Sequence, residues 1–321
     1  MQTTRIGTSS CLATALGLGT WSFGGDQWEG QEDKDSLATL QAAIEAGITH
    51  IDTAQGYGNG HSEELVGKFL TERSIKRGDL FIATKFFLDP KKEVSDFVQE
   101  SLQRLQTSYL DLMYIHWPNK DVPDMRTVMQ ALEAERKKGT VRGIGVSNFS
   151  VEQMKQVSEA GKIDAHQLCY NLLWRSPEKD VLPYCKEQGI PTVIYSPLLL
   201  GILTGKYGST PPQFGKDDIR GRMVVHFKPA VYPYVYSAVE EMKAVAQDVG
   251  RPLVHLALQW LFHQNGVGSV LVGARNPEQF RENMAALENP LPEQVLNQLT
   301  EISDRFQPYI PETGNIFDYH P

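Results

Sequence analysis

Short apolar runs of strand character alternate, almost from end to end, with segments whose apolar residues recur at helical spacing. The first helical segment, residues 33–46, puts Leu37, Leu40 and Ile44 on one face and stops at Gly47, a residue suited to the left-handed turn that closes a helix. Further stripes of helical period are Val94, Phe97, Val98, Leu102 and Leu105, then Met125, Val128, Met129 and Leu132, then Leu253, Leu256, Ala257, Trp260 and Leu261. Between the helical segments the pattern predicts eight strands, at residues 16–19, 48–52, 80–85, 110–116, 141–147, 165–168, 191–195 and 269–273. Eight strands with intervening helices, and no break in composition, point to an α/β fold of the (β/α)8 TIM-barrel type rather than to an open, doubly wound sheet. Residues 5–12 are too few for another crossover unit, and their Gly-Thr-Ser-Ser turn predicts a small hairpin across the barrel floor. The connection from Tyr195 to about Val231 exceeds ordinary loop length, which predicts a lid or binding loop. The tail from Arg305 to Pro321, rich in Phe, Tyr and Pro, is expected to wrap the surface.

Composition narrows the function classes. The 321 residues carry 31 Lys and Arg against 39 Asp and Glu, a formal charge of −8, which argues against phosphate-backbone binding as the main task. The basic stretch 135–139 reads as a helix C-terminus, where cations complement the dipole, and not as a nucleic-acid patch. Cys11, Cys169 and Cys185 form no paired spacing, so no disulfide framework is expected and the compartment reads as reducing. His50, His166, His226, His255 and His263 show no metal-ligand spacing, and no metal is assigned. The N-terminus has no unbroken apolar core and no run reaches 18 apolar residues, so neither a signal peptide nor a membrane span is expected. A cytoplasmic location follows by default.

The chemistry is expected at the C-terminal ends of the strands, where barrels of this type build their sites. The residues closing successive apolar runs are Asp52, Lys85, His116, Ser147 with Asn148, Gln167 and Tyr195. A single polar strand end is more often structural, but six in succession at one rim predict a site. Asp52, Lys85 and His116 lack a proton donor; Tyr57, five residues past Asp52, can reach back over the mouth. A tyrosine serves as an acid at neutral pH only beside a cation, which Lys85 supplies, and His116 could orient a carbonyl or relay the proton.

These residues, together with GLGTW at 17–21, IDTA at 51–54, HSEELVGK at 61–68, IHWP at 115–118, GVSNF at 145–149, YSPL at 195–198 and LTGKY at 203–207, resemble the aldo-keto reductases. The resemblance runs from Leu16 to about Leu287 and is greatest to the bacterial and potassium-channel β-subunit-like branch. It implies a single barrel unit over residues 1–321, with the barrel at about 15–288 and a C-terminal helix and tail at 289–321. It further implies NAD(P)H-dependent reduction of aldehydes and ketones, reversible in principle, with Tyr57 as the acid, Lys85 lowering its pKa, Asp52 pairing with Lys85 and His116 placing the carbonyl oxygen.

The same resemblance assigns the cofactor contacts. Ser147, Asn148 and Gln167 would bind the carboxamide and Tyr195 would stack on the nicotinamide. Gly19, Thr20 and Trp21 would lie beside cofactor and substrate. Ser196, Leu198, Gly201 and Lys206 would contact the pyrophosphate. No dinucleotide fingerprint follows a strand, since residues 56–60 have the wrong glycine spacing, so the cofactor is expected to lie extended over the rim. The segment GARNPEQFREN at 273–283 would meet a 2′-phosphate through Arg275 and a helix N-terminus, which favours NADPH with NADH as the other candidate. Gly273, Ala274 and Gln279 there depart from the Lys-Ser…Arg pattern of many mammalian members. Glu282 and Asn283 would hold the adenine amino group. Trp21, Tyr57 and Trp117 are the expected substrate walls, with the seventh-strand loop and the aromatic tail as further candidates and Trp28 and Trp174 at even odds. His61 reads as a helix-start residue. The rival readings are a slow-turnover NADPH-binding regulatory subunit and a Schiff-base barrel using Lys85 as nucleophile. The oligomeric state is left open.

Overall fold

In the computed structural model, which describes residues 2–121 and 124–321, the chain begins with an antiparallel hairpin of β1 (Thr3–Thr4) and β2 (Ala13–Thr14). Eight parallel strands then close into a barrel: β3 (Leu16–Gly19), β4 (His50–Asp52), β5 (Phe81–Phe86), β6 (Leu112–Ile115), β7 (Ile144–Ser147), β8 (Ala165–Cys169), β9 (Thr192–Tyr195) and β10 (Val267–Gly273), with β10 returning to β3. Helices α1 (Asp33–Glu45), α2 (His61–Glu72), α3 (Val94–Arg104), α4 (Met125–Lys138), α5 (Val151–Ser158) and α6 (Val181–Glu187) fill the first six crossovers. The seventh holds α7 (Ile219–Arg222), α8 (Tyr232–Asp248) and α9 (Leu253–His263); α10 (Pro277–Ala285) and α11 (Glu293–Phe306) follow the last strand. The (β/α)8 architecture is therefore the observed one. None of the helices among the described residues is long and apolar enough to cross a membrane.

Several predicted strands begin too early. Those expected to start at residues 48, 110 and 141 start at His50, Leu112 and Ile144. Ile48, Leu110 and Val141 are buried all the same, and Leu110 and Val141 pair only as an isolated bridge. An apolar residue threading under a barrel looks the same in sequence as one within its sheet. The hairpin is likewise displaced: residues 5–12 are its turn, and Thr3–Thr4 and Ala13–Thr14 on either side form its strands. Backbone pairing and staples set its place. Thr8 N–H donates to the Arg142 carbonyl at 2.9 Å, Thr4 Oγ1 donates to the Gly268 carbonyl at 3.0 Å, and Ser9 Oγ bonds the buried Asp111 carboxylate.

Inside the barrel Phe81, Ala83, Leu112, Tyr114, Ala165, Val193 and Leu271 pack with Ile6 and Ala13 of the hairpin, so the lower half is solid and closed from below. The Tyr114 ring fits only because β7 offers no side chain there: a Cβ on Gly145 would lie 2.2 Å from Tyr114 Cδ1. A larger apolar layer joins the outer strand faces to the helices, each of which buries one stripe. With the floor filled, the upper rim is the place left for a site.

Two segments reach over that rim. The long seventh connection is folded, with a tight turn at Leu199–Thr204, α7, and another turn at Val225–Phe227. The tail, expected to wrap the surface and a candidate for the pocket wall, buries Ile316 after α11 and brings Phe317 and Tyr319 to the mouth. The Ile316 carbonyl accepts from Val225 N–H at 3.0 Å. Asn315 ties the loop to itself, its Oδ1 accepting from Phe317 N–H at 3.0 Å and Tyr319 N–H at 3.2 Å while its Nδ2 donates to the Tyr319 carbonyl at 2.8 Å.

Candidate active site

Asp52 and Lys85 are delivered by the parallel registers of β4 and β5, and His116 follows β6 with its N–H donating to the Phe86 carbonyl at 3.0 Å. Tyr57 comes from the loop after β4. Gln55 fixes one side of that loop by donating from Nε2 to the Phe97 carbonyl at 2.6 Å and to Ser101 Oγ at 2.8 Å. On the other side Gly58, at φ +62°, lies so close to Gly24 that a Cβ would stand 2.2 Å from the Gly24 carbonyl oxygen.

The four candidate groups converge. Lys85 Nζ donates to Asp52 Oδ1 at 2.5 Å, to the Thr53 carbonyl at 2.8 Å and to Tyr57 Oη at 3.1 Å. Asp52 Oδ2 accepts from Gln167 Nε2 at 2.8 Å. The His116 ring meets the Tyr57 ring edge-on at 5.9 Å, and Trp21 lies over Tyr57 at 6.0 Å. Burial opposes the Lys85 ammonium, but Asp52 and Tyr57 outweigh it and hold the pKa above the ordinary lysine value. Burial and the neighbouring Lys85 charge push His116 well below the ordinary histidine range, so its ring is neutral. The lysine was expected to bring the Tyr57 pKa down. Burial instead dominates and raises it, with Lys85 pulling the other way and Asp52 adding to the rise.

A cavity of about 810 Å³ opens above these groups. Asp52, Tyr57 and His116 line it, while Lys85 is wholly buried behind them. Gly19, Trp21, Ser147, Asn148, Gln167 and Tyr195 line its inner part; Asn148 is held at φ +63°, and its Oδ1 accepts from Tyr195 Oη at 2.7 Å. Ser196, Leu198, Gly201 and Lys206 border it on the seventh-loop side, and Gly273, Arg275, Gln279, Glu282 and Asn283 at its far end. Thr20 does not reach the cavity: its side chain is turned inward, Oγ1 donating to the Asp52 carbonyl at 3.0 Å.

The far end is braced by hydrogen bonds of its own. The first turn of α10 is capped by Asn276, whose Oδ1 accepts from Gln279 N–H at 2.9 Å, and Arg275 N–H donates to Gln279 Oε1 at 3.0 Å. The Arg275 guanidinium donates to the Glu29 carbonyl at 2.6 Å and to Gln31 Oε1 at 3.3 Å. Two further cations face the cavity. Arg220 pairs with Asp218 at 2.6 Å, whereas Lys206 makes no ion pair among the described residues. Burial lowers the Lys206 pKa, and Arg220 and Arg275 lower it further.

Trp117 lines the mouth as expected, and so does Trp28, edge-on to Trp21 at 5.5 Å. Trp174 is buried against His226 instead, and His61 bonds Asp33 at 2.8 Å. Phe87, Arg220 and Met223 are lining residues that no sequence pattern marked. Phe87 packs on His116 with ring centroids 4.4 Å apart. Phe317 runs parallel to Tyr195 at 6.4 Å and edge-on to Trp21 at 5.8 Å. Cys169 and Cys185 are buried, and burial pushes both thiols up, that of Cys185 to about 12, leaving them unreactive.

Comparison with known proteins agrees with this arrangement. Residues 15–304 match the model of the "Aldo/keto reductase family". The chain is 40% identical over 290 residues to aldo-keto reductase YhdN of Bacillus subtilis, covering 87% of this chain and 86% of that protein. It is 30% identical to the NADH-specific methylglyoxal reductase of Escherichia coli, covering 96% of this chain and 100% of that one. It is also 30% identical to a probable voltage-gated potassium channel subunit beta of Arabidopsis thaliana, covering 90% and 92%. The chain belongs to the aldo/keto reductase family, oxidoreductases that act on carbonyl groups with a nicotinamide cofactor.

Proposed function

We propose that the chain reduces aldehydes and ketones to alcohols with NADPH, reversibly, with Tyr57 as the proton donor. The observation that carries the reading is the Tyr57 hydroxyl at the cavity floor, 3.1 Å from a buried ammonium that stays charged. When bound, the reduced nicotinamide supplies the hydride. The chain's residues do the rest. Tyr57 gives its proton to the carbonyl oxygen as negative charge develops there, and the Lys85 ammonium stabilises the phenolate left behind. Asp52 and Gln167 keep Lys85 in line with the tyrosine. Neutral His116 can donate a hydrogen bond to the same oxygen without adding a second charge. A charged Lys85 with three oxygen acceptors is a poor Schiff-base nucleophile, which sets the aldolase reading aside.

The residues present suit a dinucleotide. Lys206, Arg220 and Arg275 put three cations around the cavity of an otherwise acidic protein, and Lys206 is partly desolvated, its ammonium over the Tyr207 ring at 5.1 Å and in no ion pair among the described residues. Positive φ values at Ser196, Leu199, Leu200 and Gly201 give the backbone a turn geometry of the kind that can cradle anions. Tyr195 stands at the inner end, ready to stack on a flat ring. Trp21, Trp28, Phe87, Trp117, Phe317 and Tyr319 form an aromatic entrance, with Arg220 over the Trp28 ring at 5.1 Å, which favours carbonyl compounds with an apolar body.

The test is nicotinamide oxidation followed by absorbance, with NADPH or NADH and an activated benzaldehyde, and without aldehyde. Aldehyde-dependent oxidation supports the reading. Tight NADPH binding without turnover would favour the regulatory-subunit alternative, which the likeness to the plant channel subunit keeps in view. No binding of either nucleotide would refute both. NADPH preference rests on Arg275, which would exchange its Glu29 and Gln31 contacts for a 2′-phosphate. Arg275→Ala is expected to weaken NADPH about tenfold or more, the worth of a charge-assisted hydrogen bond, and to spare NADH. An equal loss for NADH would show that Arg275 does not read that phosphate.

A further inference from the structure

Lys85 Nζ has three oxygen partners, and the support of each of them leads to Ser62, a wholly buried residue in the first turn of α2 that does not line the cavity. Ser62 Oγ accepts from Thr53 Oγ1 at 2.9 Å, stands 2.7 Å from Thr20 Oγ1 and donates to the Thr20 carbonyl at 2.9 Å. Thr20 in turn donates to the Asp52 carbonyl, from N–H at 2.9 Å and from Oγ1 at 3.0 Å. The Ser62 N–H donates to the Tyr57 carbonyl at 3.2 Å. Thr53, Asp52 and Tyr57 are thus all tied, directly or through Thr20, to one residue.

The hydroxyls form a closed set. Each has one proton: Thr53 Oγ1 gives its own to Ser62 Oγ, and the two on Ser62 and Thr20 are shared among the 2.7 Å Oγ···Oγ contact, the Thr20 carbonyl and the Asp52 carbonyl. Thr20, Thr53 and Ser62 are buried, so no solvent stands by to replace a lost member. Removing the Ser62 hydroxyl strands a buried donor on Thr53 and frees the segment after β4 to shift. That segment carries both the Thr53 carbonyl on Lys85 and, four residues on, Tyr57.

We propose that Ser62 is a positioning residue: its hydrogen bonds with Thr20, Thr53 and Tyr57 hold the three oxygen partners of Lys85 in register and so set the donor geometry at Tyr57 Oη. The inference rests on the reading of Tyr57 as proton donor. It differs from a packing role in what it moves, because a purely structural serine affects stability without changing how strongly Lys85 acts on the phenol. The groups facing Tyr57 are Lys85 on β5, Asp52 on β4, neutral His116 after β6 and Tyr195 on β9. Of these only Lys85 favours the phenolate. Loosening it moves tyrosine ionisation upward in pH.

The experiment compares Ser62→Ala and Thr53→Val, which remove hydroxyls, with Thr53→Ser, which keeps one, and with Tyr57→Phe. Readouts are kcat and KM with NADPH and an activated benzaldehyde, NADPH affinity, melting temperature, and ultraviolet titration of tyrosinate in the cofactor-free protein taken as the difference from Tyr57→Phe. Ser62→Ala is expected to lose about tenfold in kcat, the effect of one buried hydrogen bond, with KM and NADPH affinity within about twofold. Its Tyr57 titration should move to higher pH. Thr53→Val should follow in both readouts, and Thr53→Ser should resemble the parent. Unchanged kcat in a folded Ser62→Ala protein overturns the proposal, as does a kcat loss with an unmoved titration. Failure of both Ser62→Ala and Thr53→Val to fold also overturns it, since the network would then be structural. Near-normal turnover in Tyr57→Phe removes the acid reading and this inference together, whereas an inactive Tyr57→Phe beside a normal Ser62→Ala removes this inference alone.

Discussion

Tyr57→Phe should bind NADPH within about twofold of the parent and lose about 10²–10⁴-fold in kcat for carbonyl reduction, the range spanned by a positioned general acid. The substitution removes one oxygen, the partner of Lys85 Nζ at 3.1 Å, and keeps the ring that packs between Trp21 and His116. The walls of the site survive and the proton source does not. Steady-state reduction and a fluorescence titration with NADPH separate the two effects, and a variant with near-normal kcat would refute the assignment. The pH profile gives a second check. His116 is already neutral, and Tyr57 keeps its proton beyond the ordinary tyrosine range, so neither group should titrate between pH 6 and 8, a range taken from ordinary side-chain values. Reduction by the parent enzyme should therefore show no inflection there, and an inflection that disappeared in His116→Gln would mean the imidazole carries charge.

The fold itself should be markedly acid-labile. His50, His166 and His226 are buried, and burial lowers their pKa values to about 3, 3 and 4, with the Lys85 charge adding to the effect at His50. Each is built in as the neutral ring. His50 Nδ1 pairs with Ser269 Oγ at 3.0 Å, His166 Nε2 accepts from Phe149 N–H at 3.2 Å, and His226 Nε2 meets the Leu173 carbonyl at 2.9 Å. The unfolded chain takes up protons near the ordinary value of about 6.5 and the folded chain does not. Unfolding therefore binds protons, and stability falls as pH drops from about 6.5 toward the folded values. At pH 5 each histidine contributes a loss of roughly 2 kcal/mol, and His116 acts in the same sense. Most carboxylates remain ionised above pH 5, so this stretch belongs to the histidines. Urea unfolding at pH 7.5 and pH 5 should differ by several kcal/mol, a large part of the roughly 5–15 kcal/mol typical of a folded protein. Equal stability at the two values would mean that these rings are protonated in place.

How far the molecule is legible in its sequence depends on whether the signal is local. The rim set Asp52, Lys85, His116, Ser147, Gln167 and Tyr195 shows because each is a polar residue at or near the C-terminal end of a strand-like run, and strand direction alone brings such residues to one end. Residues placed by chain path leave no such mark. Phe317 and Tyr319 reach the mouth because Asn315 closes a loop and Val225 anchors Ile316, contacts between segments with no common period. Arg220 and Met223 lie in the folded part of a connection that showed only its unusual length. Thr20, which the resemblance places beside the cofactor, turns its side chain to Asp52 and Ser62, a direction that no local pattern shows. Strand starts are blurred in the sequence for a different reason: hydrophobicity reports burial, and the approaches under the barrel are as buried as the sheet.

The roof of the pocket hangs on the last dozen residues. Phe317 and Tyr319 belong to a loop that Asn315 closes on itself; Val225 N–H holds the Ile316 carbonyl, Phe317 packs against Trp21, Trp117 and Tyr195, Tyr319 packs against Trp117, and Lys120 N–H donates to the Pro321 carbonyl at 3.2 Å. No barrel strand depends on it for pairing. A different tail grafted after α11 is therefore expected to change the aromatic surface that an incoming carbonyl compound meets while leaving the barrel and the Lys85–Tyr57 pair in place. For the same reason an affinity tag fused after Pro321 starts beside the substrate entrance, and one placed ahead of the floor hairpin stays clear of it.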